Sequence, residues 1–174
     1  MFKVIITIDY EIHGNGDGCP MKLMVEPTYR MMKLFDKYGA KLTIMADVAE
    51  ILKFKEYQER FGADKYHYNA IIEQLRYAIL HGHDVQLHIH SGYFNSEFTD
   101  FGIKQNWDEY DLANQPYDII NERISLCKSF LEENLKVVKP DYKCIAFRAA
   151  NWSMIATENI SKALINNGIL IDTS

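Results

Sequence analysis

Short apolar runs alternate along this chain with longer stretches in which apolar residues recur every three or four positions. The short runs centre on Val4-Ile5-Ile6, Leu42-Thr43-Ile44, Val85-Gln86-Leu87 and Cys144-Ile145-Ala146. They predict strands over residues 3–9, 41–46, 84–90 and 143–148, with a fifth over 169–172. These centres are apolar enough to expect cover on both faces, as parallel strands have. The longer stretches predict helices over 28–38, from 48 to about 54, and over 68–80, 118–135 and 157–167. Pro27 sits where a first-turn proline belongs, and Gly39, Gly82 and Gly168 stand where helices stop.

Regular strand-helix alternation predicts an α/β fold with right-handed crossovers and functional groups gathered at the carboxyl ends of the strands. Asp9, Asp47, His88, His90 and Arg148 all fall at such ends. One domain over 1–174 is expected. A complete (β/α) barrel takes roughly 200 residues or more, so the expected form is a distorted or partial (β/α) barrel, incomplete at its carboxyl end. An open sheet edge after 169–172 then calls for cover by a partner chain, a second copy or a further segment.

The alternation lapses over residues 91–116, which read as one long irregular loop carrying Tyr93, Phe94, Phe98, Phe101, Trp107 and Tyr110 among several acids. A long loop directly after a site-bearing strand suits a substrate wall. Packing of these aromatics onto the body as a satellite core is an equal alternative.

Composition narrows the function classes. The chain has 174 residues, 48% of them hydrophobic, and a formal net charge of -5, so it can bury a real core. Lys and Arg form no cluster, which argues against nucleic acid or an anionic membrane as partner. No signal peptide and no membrane-length apolar run is visible. The three cysteines, Cys19, Cys127 and Cys144, show no paired spacing and read as buried or incidental thiols in a reducing compartment. A cytoplasmic protein is expected.

The candidate chemistry lies in two pairs. Asp9 and Glu11 close the first strand; His88 and His90 close the third. Side chains alternate across a strand, so each pair points to one side while Tyr10 and Ile89 point to the other. On neighbouring strands, two carboxylates and two imidazoles would converge within reach of one ion, with metal–nitrogen distances near ~2.1 Å. Arg148 ends the fourth strand and needs a carboxylate partner at that depth, for which Asp9 is the candidate. His81 and His83 flank Gly82 and read as surface or capping residues; His67 reads as incidental. The stretch His13-Gly14-Asn15-Gly16-Asp17-Gly18 lacks the Gly-Lys-Ser/Thr of a phosphate loop and reads as a loop at the mouth of the site.

The segments Thr7-Ile8-Asp9-Tyr10-Glu11, Gly39-Ala40-Lys41-Leu42-Thr43-Ile44, Gly82-His83-Asp84-Val85-Gln86-Leu87-His88-Ile89-His90 and Phe147-Arg148-Ala149-Ala150 resemble, in order, those of the polysaccharide deacetylases, the NodB-homology group. The resemblance spans nearly the whole chain. It implies a distorted (β/α) barrel that uses a divalent metal, Zn2+ first with Co2+, Ni2+ or Mn2+ as alternatives, to hydrolyse acetyl groups from an acetylated amino sugar. It assigns Asp9 as catalytic base, Arg148 as its brace, and Glu11, His88 and His90 as metal ligands. Tyr93, Trp107 and Trp152 are expected against the substrate. Tyr10 stands where the family's second acid usually follows the base, Gly92 where its second histidine usually lies, and Ala150 where a proline is usual. The motif that would bring a histidine general acid is not found. The resemblance leaves two further readings: hydrolysis of a non-sugar C–N bond, as in allantoinase-like relatives, and a carbohydrate-binding module without catalysis.

Overall fold

The computed structural model describes residues 3–12, 17–150 and 154–174. Its centre is a five-stranded parallel sheet of β1 (Ile6–Tyr10), β2 (Leu42–Asp47), β3 (Asp84–Ile89), β6 (Ala146–Ala149) and β7 (Ile171–Asp172), hydrogen-bonded in that order. Helices α1 (Glu26–Lys37), α2 (Val48–Phe61), α3 (Tyr68–Leu80), α4 (Tyr117–Leu135) and α5 (Glu158–Asn166) fill the intervals. A single π-type turn, Met21–Val25, leads into α1. The α/β class expected from the sequence is thus present.

Several boundaries follow from local chemistry. Asp47 caps α2 by accepting the Glu50 N–H, and Thr157 caps α5 by accepting the Ile160 N–H. Helix α2 runs well beyond its expected end near residue 54, because Gly62 supplies the left-handed stop at φ 66°. The first strand starts later than expected, with Val4 and Ile5 exposed ahead of it. Among the described residues no helix is long and apolar enough to cross a membrane.

The two faces of the sheet differ. Ile8 and Tyr10, Leu42, Ile44 and Ala46, Val85, Leu87 and Ile89, and Phe147 and Ala149 belong to the apolar core. The alternate positions carry Thr7 and Asp9, Thr43, Met45 and Asp47, Gln86 and His88, and Arg148. Both faces are largely covered in β2, β3 and β6, as expected, and period-2 alternation makes one side apolar and the other largely polar. On the polar side Arg148 reaches across β2 and β3 to the first strand, with Nη1 2.5 Å from Asp9 Oδ1 and Nη2 2.8 Å from Thr7 Oγ1.

Residues 91–116 are not the irregular loop expected. They hold a small antiparallel hairpin, β4 (Glu97–Thr99) and β5 (Gly102–Lys104), framed by three short 3-10 turns. Buried Arg123 of α4 fastens the segment by donating to Ser91 Oγ at 2.6 Å and pairing with Glu109, its guanidinium lying over the Phe94 ring. The satellite-core reading of the aromatics holds for Tyr93, which is buried, and for Phe94 and Phe98, which pack on the core, while Phe101 and Trp107 are exposed.

Candidate metal centre

The register sets the site. Asp47 pairs with His88 across β2 and β3, and His88 pairs with Arg148 across β3 and β6, so the three form one row at the carboxyl ends of adjacent strands. Tyr10, buried at 1% exposure, sends its hydroxyl into the apolar side to donate to Gln74 of α3. Asp9 and Glu11, flanking it, stand on the polar side, which is the convergence read from spacing.

His88 has a defined tautomer. Its Nδ1 is 2.8 Å from the Arg148 carbonyl, which can only accept, so Nδ1 carries the proton and Nε2 keeps its lone pair. That Nε2 faces Glu11 Oε2 at 3.4 Å, and both atoms are buried. His90 Nδ1 lies 2.6 Å from the same Glu11 oxygen and 2.7 Å from Asp47 Oδ2. The donor atoms of Glu11, His88 and His90 all fall within 4.8 Å of one another. Two imidazoles and a carboxylate, with one histidine fixed by an outer acceptor, are a donor set that fits a catalytic zinc-type ion and leaves an open position.

Electrostatics agree with a site built for a cation. Burial disfavours the charged form of Glu11, but His88 and His90 outweigh it and hold the carboxyl at about 2. Burial likewise opposes charge on His90, yet Asp47 and then Glu11 raise it to about 10. His88 is raised too, burial being outweighed by Glu11 and Asp47. In the metal-free geometry His90 is thus an imidazolium between two carboxylates. An ion bound at Nδ1 takes the place of that proton.

Behind these groups lie two acids. Asp47, fully buried, accepts the His90 backbone N–H at 3.2 Å through Oδ1. Glu50, also fully buried, accepts from the Ile12 N–H at 3.1 Å and from the Tyr93 hydroxyl at 2.9 Å. Burial, with the Asp47 charge behind it, pushes the Glu50 carboxyl well up. Sequence reading placed Asp47 at a strand end without a role and passed over Glu50, which looks like an ordinary first-turn acid of a helix.

The other expected residues divide. Arg148, at 8% exposure, is paired with Asp9 and also donates from Nε to Thr173 Oγ1 at 3.1 Å. Tyr93, expected against the substrate, is buried at 2% with its hydroxyl given to Glu50, and its backbone N–H is held by the His90 carbonyl. Trp107 is half exposed and stacks near Tyr110, whose ring lies 6.1 Å from that of His90. One face of Trp107 lines a cleft of about 440 Å³ with Asn95, Lys104, Gln105 and Asp108. Trp152 lies outside the described residues, as does the glycine stretch over 13–16.

Gly92 has a steric reason to be glycine. A Cβ there would meet the Asn106 carbonyl oxygen at 3.0 Å and Gln105 Oε1 at 3.1 Å, because the Asn106 N–H bonds back to the Gly92 carbonyl. A larger side chain at that position would need these neighbours to give by a few tenths of an ångström. Two expectations about the remaining histidines are corrected. His83 is buried, its Nδ1 accepting from the Leu42 N–H at 3.1 Å. His67 has the left-handed φ of 55° at the start of α3 and faces Cys19 Sγ at 3.5 Å. His81, as expected, ends a helix at the surface.

No protein-family model matches this chain. Comparison with curated proteins and with solved structures likewise finds no match. The likeness to polysaccharide deacetylases therefore stands on the motif residues themselves.

Proposed function

We propose that this chain is a metal-dependent hydrolase of the polysaccharide deacetylase type, on a partial (β/α) barrel, that removes acetyl groups from an acetylated amino sugar. The observation that carries the reading is the convergence of Glu11 Oε2, His88 Nε2 and His90 Nδ1, with the carboxylate oxygen 3.4 Å from the first imidazole nitrogen and 2.6 Å from the second. Three donor atoms crowded this closely around one point are a geometry that a divalent ion would satisfy. The parallel strand order β1-β2-β3-β6-β7 supports the barrel part of the proposal.

A divalent ion held by Glu11, His88 and His90 would supply a water of lowered pKa and polarise the acetyl carbonyl. Asp9 then serves as the base. Arg148 donates to its Oδ1, which orients the carboxylate and favours its ionised form. The His88 proton stays on Nδ1, fixed by the Arg148 carbonyl, so this histidine does not shuttle protons while it serves as ligand. Trp107 and the polar cleft beside it suit a sugar ring, with an apolar face to stack and hydroxyls to bond.

The test is elemental analysis of the purified chain, followed by acetate release from acetylated amino sugars. About one Zn, Co, Ni or Mn per chain is expected, with acetate release lost in Asp9→Asn while the metal is retained. Stoichiometric metal with no release from any acetylated sugar would move the assignment to a binding module. Absence of metal would remove it altogether.

A further inference from the structure

A carboxyl group at 0% exposure with no lysine or arginine beside it is expensive to keep. Among the described residues neither Asp47 nor Glu50 forms an ion pair with a lysine or arginine. Both stand in the first turn region of α2, and both spend oxygens on the segment from His90 to Tyr93, which Glu50 also joins to the segment after β1. Asp47 holds the His90 N–H and faces the His90 ring nitrogen. Glu50 holds the N–H of Ile12, the residue after Glu11, through both oxygens at 3.3 and 3.1 Å. Its Oε1 also accepts the hydroxyl of Tyr93, whose own backbone is tied to the His90 carbonyl.

Glu50 therefore joins the ends of two segments that are neither adjacent strands nor neighbours in sequence: the turn carrying Glu11 after β1 and the turn following His90 after β3. These are the two ends whose separation fixes the gap between the Glu11 carboxylate and the two imidazoles. Without Glu50, Ile12 would have a buried backbone donor with no acceptor, and the Glu11 turn would be free to relax away from β3. Hydrophobic packing alone could fill the same volume at lower cost, so the polar group is retained for what it positions.

We propose that Glu50 is a positioning residue for the metal centre: it binds no ion itself but sets the Glu11–His90 spacing by holding Ile12 and Tyr93. The inference rests on the metal reading above and adds a residue outside the ligand set. Loss of an outer hydrogen-bond partner weakens metal binding roughly 10–100-fold, and the expected losses follow from which tie is cut. Glu50→Ala cuts both ties and is expected to fall in that range. Glu50→Gln keeps an oxygen for both donors and is expected to stay within about fivefold of the parent chain. Tyr93→Phe cuts only the tie at the His90 end, leaving the ring in the core, and is expected to lose about threefold to tenfold.

The measurement is calorimetric titration of the metal-stripped full chain with Zn2+, repeated with Co2+ to record its visible spectrum, and thermal unfolding of each variant alongside. Phe54→Leu, a core substitution in the same helix, serves as the control for general destabilisation. A purely structural Glu50 would lower the melting temperature like the control and leave the affinity and the Co2+ spectrum unchanged; that result in Glu50→Ala overturns the proposal. Should Glu50→Ala not fold, the order of affinities parent, Glu50→Gln, Tyr93→Phe decides, and a Tyr93→Phe affinity and spectrum equal to the parent's overturns it equally. If the parent chain itself binds neither ion, the metal reading has failed and the inference falls with it. Parent binding with unaltered Glu50→Ala binding overturns the inference alone.

Discussion

At the start of β3, His83 is buried beside Asp36; at its end, His88 and His90 are buried beside Glu11 and Asp47. The residue types are the same and the electrostatic outcomes are opposite. Lys41 sits 2.5 Å from Asp36 and cancels its charge, so burial prevails and His83 is pushed below its ordinary value. Its neutral ring accepts the Leu42 N–H as a structural peg. At the other end no lysine or arginine joins Glu11 or Asp47 among the described residues, since Arg148 is committed to Asp9. There the carboxylates prevail, and His90 is raised to about 10. A histidine–carboxylate cluster with its own lysine is finished; one without a lysine is waiting for a cation, whether proton or metal.

The largest expected effect comes from removing a ligand. His88→Ala or Glu11→Ala should cost more metal affinity than the roughly 10–100-fold loss of an outer partner, while His83→Ala should leave binding unchanged. Equal losses in all three, measured by titration of the stripped chain, would erase the distinction between the two ends. Next is the charge balance of the polar face of the sheet. Arg148→Met strands Asp9 beside the cluster and should destabilise the chain by about 3 kcal/mol in urea unfolding, with much of that restored by adding Asp9→Asn. No recovery in the double variant would mean the arginine acts through packing alone.

The pH dependence of the metal-free chain should separate the two ends by sign. His90 is raised above its ordinary 6.5, so its contribution is whole below that value and fades as pH rises through about 10. Glu11, held at about 2, contributes above its ordinary 4.5 and loses that contribution as pH falls through about 2. His83 is lowered, so the fold favours its neutral form; its contribution is present above 6.5 and is lost as pH falls below it. His90→Asn should therefore flatten the alkaline decline in urea midpoints, and His83→Asn the decline below neutrality. Swapped or unchanged limbs would break the assignment. The smallest effect belongs to Lys41→Met, which frees Asp36 to act on His83. The histidine's titration, followed by NMR, should move upward, with a stability change of no more than about 1 kcal/mol because the lysine is largely exposed.

The parts of the molecule legible in the sequence share one property: they follow from periodicity. Strand-helix alternation located the sheet and its five helices, and strand parity put Asp9 with Glu11 and His88 with His90 before any register was known. What stayed hidden depends on distance across the fold. Glu50 looks like any acid placed in a first turn to suit the helix dipole, and nothing local says that this turn faces Ile12 and Tyr93. Asp47 reads only as a residue at a strand end; that it caps α2, and that register sets it opposite His88, is seen only in the fold. His83 follows a glycine and looks like a turn residue, while its burial is decided by Leu42 of the neighbouring strand. The hairpin of β4 and β5 has only three residues per strand, too few for alternation to register.

The grip of Arg148 on Asp9 spans 139 positions of sequence, and that on Thr7 spans 141. All three proposed ligands, by contrast, precede residue 91. During vectorial synthesis the ligand-bearing strands can therefore pair before the base is braced, and the carbonyl that fixes the His88 tautomer arrives only with β6. Contacts of such long range form late, because the chain must lose its loop entropy before they return anything. Under the proposed function, the residues that would hold the ion can thus come together before Arg148 reaches over the first strand to Asp9.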